Sequence, residues 1–145
     1  MNKLVIFIVA ALLLLATSIV QARDARQQFS IADVMEQPEN SSQLQGVSFY
    51  FGDQGHPAVK QTYGSFPTNK KTNAFNKSDL MACQRAMMSA LLSLHKRALS
   101  LGANAVINII SNYKNQKSSS ETEFTCGAGN TVAGVALIGT VVTLE

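Results

Sequence analysis

SDLMACQRAMMSALLSLHKRALSLGANAVINII, residues 78–110, is the stretch whose reading decides the fold. Leu80, Cys83, Met87, Leu91, Leu94, Ala98 and Leu101 recur at spacings of three and four, which draws one apolar stripe along a helix. Arg85, Ser89, Lys96 and Ser100 lie opposite that stripe. Ser78 has the side chain of an N-cap, and Asp79 places an acid where the helix dipole favours one. Gly102 suits the left-handed residue that ends a helix. Beyond it, Val106, Ile107, Ile109 and Ile110 make an apolar, β-branched run from Ala103 to Tyr113, the pattern of a central strand buried on both faces.

Downstream, residues 112–120 read as a polar loop. Phe124, Cys126 and Ala128 then alternate with Glu123 and Thr125 as a strand, and a last strand runs from Val132 to Leu144. Gly134 and Gly139 within that last strand mark a bulge or a close backbone approach. Upstream, Val47, Phe49 and Phe51 alternate with Ser48, Tyr50 and Gly52, and a second strand is expected from Val59 to Phe66. The turn formers between them predict an antiparallel hairpin. Pro67 to Lys77 reads as a lysine-bearing loop. The expected fold is α+β: one long helix packed on a mostly antiparallel sheet, in the order β-β-α-β-β-β.

The N-terminus reads as a secretory signal. Lys3 precedes an apolar run from Leu4 to Val20, and Val20-Gln21-Ala22 has the small-residue pattern of a cleavage site, predicted after Ala22. The expected organisation is therefore a signal peptide over 1–22, a polar arm over 23–46 and a single domain over 47–145, in a periplasmic or secreted protein with no membrane anchor after cleavage. Within the arm, Ser30 is placed to cap a short helix through Val34 and Met35 that Pro38 helps to end; the remainder reads as mobile. Cleavage removes one of 12 Lys and Arg residues against 9 Asp and Glu, so the small positive excess does not by itself call for nucleic acid or an anionic membrane.

Cys83 and Cys126 are the only cysteines, and an even count in an exported chain favours a disulfide. Cys83 falls on the apolar stripe of the helix, and Cys126 shares a strand face with Phe124 and Ala128, so both sulfurs are expected in one layer. Catalytic patterns are lacking: no Gly is followed by Lys as a P-loop requires, and no serine nucleophile elbow occurs. Gly127-Ala128-Gly129 is a fragment of a phosphate loop without its helix, and reads as a bent hairpin. Glu121 and Glu123 read as charges at a strand entrance. His56 and His95, with the cysteines, are the only metal-ligand types of note; the expectation is a turn His56, a solvated His95 and paired cysteines. No metal and no other cofactor is expected. Between His56 and Lys77, Lys60, Lys70, Lys71 and Lys77 are interleaved with Tyr63, Phe66 and Phe75 and no acid intervenes, a composition that suits an anionic polymer or a solvated loop.

The passage Leu101-Gly102-Ala103-Asn104-Ala105-Val106-Ile107, joining a helix to a central strand, resembles the YbjQ-like family and the core of the Rcs envelope-stress sensor lipoprotein, over about residues 78–144. A broader likeness, through "FYFG", "HPAVKQTYG", "TNKKTNAFNKSDLMAC" and "TEFTCGAGNTVAGVAL", is to small exported proteobacterial proteins labelled excinuclease ATPase subunit. That label implies nucleotide chemistry that the residues do not carry. The Rcs likeness implies a disulfide-tied α/β module on which a partner docks. The function expected is a non-enzymatic envelope interaction or maintenance module. Its surface would comprise Lys70, Lys71 and Lys77 with Arg85 and Lys96, facing an envelope protein or an anionic polymer and no nucleotide, and self-association is left open. The alternative is a small-ligand or metal-binding periplasmic protein that uses His56 and His95.

Overall fold

A computed structural model describes residues 23–145; the expected signal peptide and its cleavage site lie outside the described residues. The elements are β1 (Ala25–Ser30), α1 (Ala32–Met35), α2 (Pro38–Gln43), β2 (Ser48–Phe51), β3 (Val59–Asn73), α3 (Asp79–Ser100), β4 (Ala105–Ser111), β5 (Glu123–Ala128) and β6 (Val132–Leu144), with a 3-10 turn at Tyr113–Asn115. The class is α+β, as the sequence predicts, with one long helix against a six-stranded sheet.

The long helix forms where its periodicity and caps direct. The Ser78 hydroxyl accepts a hydrogen bond from the Met81 amide at 3.1 Å, and Gly102 takes φ +71° just past the last turn. Cys83, Met87, Leu91, Leu94 and Ala98 are buried against the sheet, joined by Ala82, Ala86 and Ala90, whose small side chains bring the helix close to the strands beneath. Leu80 departs from the expected stripe: in the first turn of the helix, it is 47% exposed.

β6 is the axis of the sheet. Along one edge it pairs antiparallel with β3 from Val59↔Leu144 to Asn73↔Val132. Its other edge is shared: β5 meets its start at Gly127↔Gly134 and Ala128↔Ala133, and β4 meets its far half from Ala105↔Val142 to Ser111↔Leu137. β1 extends the sheet beyond β5 in antiparallel register, and β2 extends it beyond β4 in parallel register. The alternation of β6 is evident in its packing: Ala133, Val135, Leu137 and Val141 join the main core under α3. On the outer face Val142 and Leu144 make a small cluster with Ala105, Ile107 and Tyr50.

Three expectations are corrected. The predicted β2–β3 hairpin does not form; β2 lies beside β4, and β3 takes the whole length of β6, a ladder far longer than four-residue β2 offers. Pro67 to Asn73 is not a loop but the continuation of β3. Its turn-forming residues are accommodated because β3 is an edge strand, where proline's missing N–H costs little. Residues 25–46 belong to the folded unit rather than to a mobile arm: Phe29 packs on Phe124 at 6.0 Å between ring centroids, and Ile31, Val34 and Leu44 are buried. The polar look of β1 comes from side chains used in specific hydrogen bonds, Gln27 to Asp79 at 2.7 Å and Gln28 to Thr125 at 2.9 Å. The Ser30 hydroxyl does accept from the Asp33 amide at 3.2 Å, while Pro38 opens α2 rather than only ending α1.

Candidate functional site

The register of four strands brings cations, an aromatic ring and two buried glycines together on one face of the sheet. Lys71 on β3 is opposite Gly134 on β6, Gly134 is opposite Gly127 on β5, and Gly127 is opposite Arg26 on β1. Directly opposed residues share a face, so a basic side chain stands at each end of a row whose middle is two glycines. This row lies on the face of the sheet away from α3, because Cys126 and Ala128, which flank Gly127, belong to the core under the helix.

Tyr113 fills the glycine gap. A Cβ at Gly127 would overlap the Tyr113 hydroxyl, and one at Gly134 would be 3.9 Å from the ring edge. Any side chain at Gly127 therefore excludes the ring from this position. The Arg26 guanidinium lies 5.5 Å from the centre of the Tyr113 ring, and the Lys114 ammonium 5.6 Å, both within cation–π range. The Tyr113 hydroxyl donates to Asp24 at 2.8 Å, and Lys114 ion-pairs with the other oxygen of the same carboxylate. Arg23 pairs with Asp79 at the start of α3. A cleft of about 440 Å³ opens here, bounded by Arg23, Asp24, Asn69, Lys71, Tyr113 and Lys114.

Charge settles within this group in a definite way. The hydrogen bonds from Lys114 and then Tyr113 hold the Asp24 carboxyl below its ordinary value of 3.8. Burial, followed by the bond to Asp24, raises the Tyr113 phenol above 10.0, and the Asp24 contact raises the Lys114 ammonium above 10.5. These three groups are thus moved away from neutral pH, into fixed charge states: carboxylate, phenol and ammonium. Each salt bridge occupies an acid, which leaves Lys71 and Arg26 without an acidic side chain within ion-pair distance among the described residues.

The sequence-predicted surface is divided by this geometry. Strand alternation puts Lys71 on the outer face in the groove and Lys70, opposite Val135, on the helix side with Arg85 and Lys96. Lys77 sits in the turn before α3, its amide donating to the Ala74 carbonyl at 3.1 Å. Cys83 and Cys126 form the expected disulfide, with Cα atoms 5.9 Å apart. His95 is buried rather than solvated: it is 8% exposed, its Nε2 lies 2.8 Å from the Gln45 carbonyl, and its ring stacks on Phe49. His56 packs edge-on against Tyr50. Phe49 joins the core under α3 and Tyr50 joins the outer cluster, so the two imidazoles sit on opposite sides of β2. Among the described residues no three His, Cys, Asp or Glu side chains gather as a metal-holding group.

Arg23, Arg26, Tyr113 and Lys114 escape sequence reading because nothing local connects a polar N-terminal segment to a turn so distant in the chain. Gly127-Ala128-Gly129 is the one available sign: it opens no helix, but its first glycine is the floor on which Tyr113 rests. Among the described residues no helix is long and apolar enough to cross a membrane. Compared with known proteins, the chain matches no family model, no curated protein and no solved structure.

Proposed function

We propose that this protein is a non-enzymatic binding module of the cell envelope, periplasmic or secreted, and that the outer-face cleft beside Lys71 holds an anionic group of its partner. The observation that carries this reading is the row Lys71–Gly134–Gly127–Arg26, in which two cations, neither within ion-pair distance of an acid among the described residues, stand on either side of two buried glycines against which Tyr113 packs. Cations so placed recognise phosphate or carboxylate through charge-assisted hydrogen bonds. The neighbouring groups favour binding over proton transfer, since Asp24, Tyr113 and Lys114 are held in charge states remote from neutral pH. The disulfide supports an oxidising compartment. The resemblance to the disulfide-tied Rcs sensor module points to docking in the same way, and the excinuclease label finds no nucleotide loop to support it.

The test compares two adjacent lysines on opposite faces. Retention on immobilised inorganic polyphosphate is expected to fall by roughly tenfold in Lys71→Glu, as loss and reversal of one contacting charge would give, and to remain near wild type in Lys70→Glu. Equal effects of the two substitutions, or none from Lys71→Glu, would remove the groove as the binding site.

A further inference from the structure

The end of the molecule that carries the groove also carries most of its exposed apolar bulk. Six large apolar side chains are well exposed among the described residues, and four of them, Phe75, Leu80, Met81 and Val132, belong to this end. Their proximity follows from the backbone. Asn73 is the register partner of Val132, the Ala74 amide donates to the Thr131 carbonyl at 2.8 Å, and Leu80 and Met81 occupy the first turn of α3 directly after this turn. Phe75 is the most exposed of all at 62%. It is nonetheless held: its amide donates to the Asn73 side chain at 2.8 Å, and the Lys77 amide closes the same turn on the Ala74 carbonyl. An aromatic ring is thus presented to solvent by a fixed turn.

Around this apolar tip stand Arg23, Arg26, Lys71, Lys77 and Lys114, and the two acids present, Asp24 and Asp79, are each tied to a cation. Other acids lie at the far ends of the same strands: Glu123 at the opposite end of β5, Asp33 and Glu36 beyond the end of β1, and Glu145 after β6. The molecule is polarised although its overall charge is small.

We propose that this end is a reversible contact face for an anionic lipid bilayer, with Phe75, Leu80 and Met81 entering the headgroup boundary while Lys71 and Lys77 meet lipid phosphates. An apolar tip with unpaired cations beside it combines insertion with electrostatic attraction to anionic lipid. The proposal rests on the anion-binding reading for Lys71 and adds the bilayer as the source of the anion.

The experiment is vesicle flotation of the protein expressed from its full reading frame, with its N-terminus established by mass, on vesicles of phosphatidylcholine with or without one-third phosphatidylglycerol. Binding is expected only with phosphatidylglycerol, weakened by high salt, and reduced roughly tenfold or more when Phe75, Leu80 and Met81 are all replaced by Ser. Because the chain has no Trp, Phe75→Trp supplies a second readout, a blue-shifted emission on phosphatidylglycerol vesicles in otherwise intact protein. Equal flotation with pure phosphatidylcholine, wild-type flotation of the triple-Ser variant, or an unshifted emission from Phe75→Trp would each overturn the membrane face. If the triple variant floats normally yet Lys71→Glu still loses polyphosphate, the anion groove stands and the bilayer proposal alone falls.

Discussion

The two faces of the sheet use glycine to opposite ends. Under α3, a Cβ at Gly139 would come within 2.5 Å of Val106, with Leu94 and Ile109 next nearest, so the missing side chain admits core hydrocarbon. On the outer face, the missing side chain at Gly127 admits Tyr113, a ring whose hydroxyl is bonded to a carboxylate and whose faces attract two cations. One vacancy tightens a core that is also tied by Cys83–Cys126; the other keeps a charged, partly open groove. The contrast teaches that the same sequence device serves stability where its neighbours are apolar and recognition where they are ionised.

The largest test of this contrast lies on the helix side. Replacing Cys83 and Cys126 together by Ser is expected to cost about 4 kcal/mol of unfolding free energy in the chain-entropy account, measured by urea titration under oxidising conditions. A smaller effect separates the two glycines. Gly139→Ala is expected to destabilise by about 1–3 kcal/mol through overpacking, whereas Gly127→Ala should cost less, since Tyr113 can swing outward into the cleft. Gly127→Ala should also move the Tyr113 phenol back toward its ordinary value of 10.0, read by absorbance of the phenolate. Equal destabilisation by the two changes would break the distinction between the faces.

The smallest effect concerns acid. Asp24 and Asp79 both have lowered pKa values in the fold: Asp24 chiefly through Lys114, and Asp79 through Gln27 and then Arg23. On acidification the unfolded chain takes up these protons first, near 3.8, so their stabilisation is present above that pH and is lost as pH falls through the lower folded values. The combined variant Asp24→Asn and Asp79→Asn should therefore show a shallower decline in thermal stability below pH 3.8 than the wild type. An unchanged acid limb would show that these outer-face pairs contribute nothing to folding.

What is legible in the sequence follows from periodicity with a clear physical reader. α3 and its caps, the strand from Val132 to Leu144 and the shared layer of Cys83 and Cys126 all rest on buried apolar residues at regular spacing. β1 and the second half of β3 escape because they are edge strands, where polar side chains on both faces conceal the alternation. His95 escapes because its neighbours Lys96 and Arg97 suggest solvent, while its own partner, the Gln45 carbonyl, is 50 residues away. The groove is the least legible feature, since its row depends on the register of four strands and no pair of those strands is revealed by local spacing. Lys71 stands out in the sequence for its charge, but only register separates it from Lys70.

The shared edge of β6 also governs when this domain can come into being. β3, β4 and β5 all precede the strand that joins them, and Val59 meets Leu144 across nearly the whole domain. Until residues 132–144 have emerged, the earlier strands lack the neighbour that unites them, and such distant closures make for slow folding. The β3–β6 ladder therefore cannot form before β6 is made, and a chain cut short before β6 would present β3 as an unpaired strand along both edges.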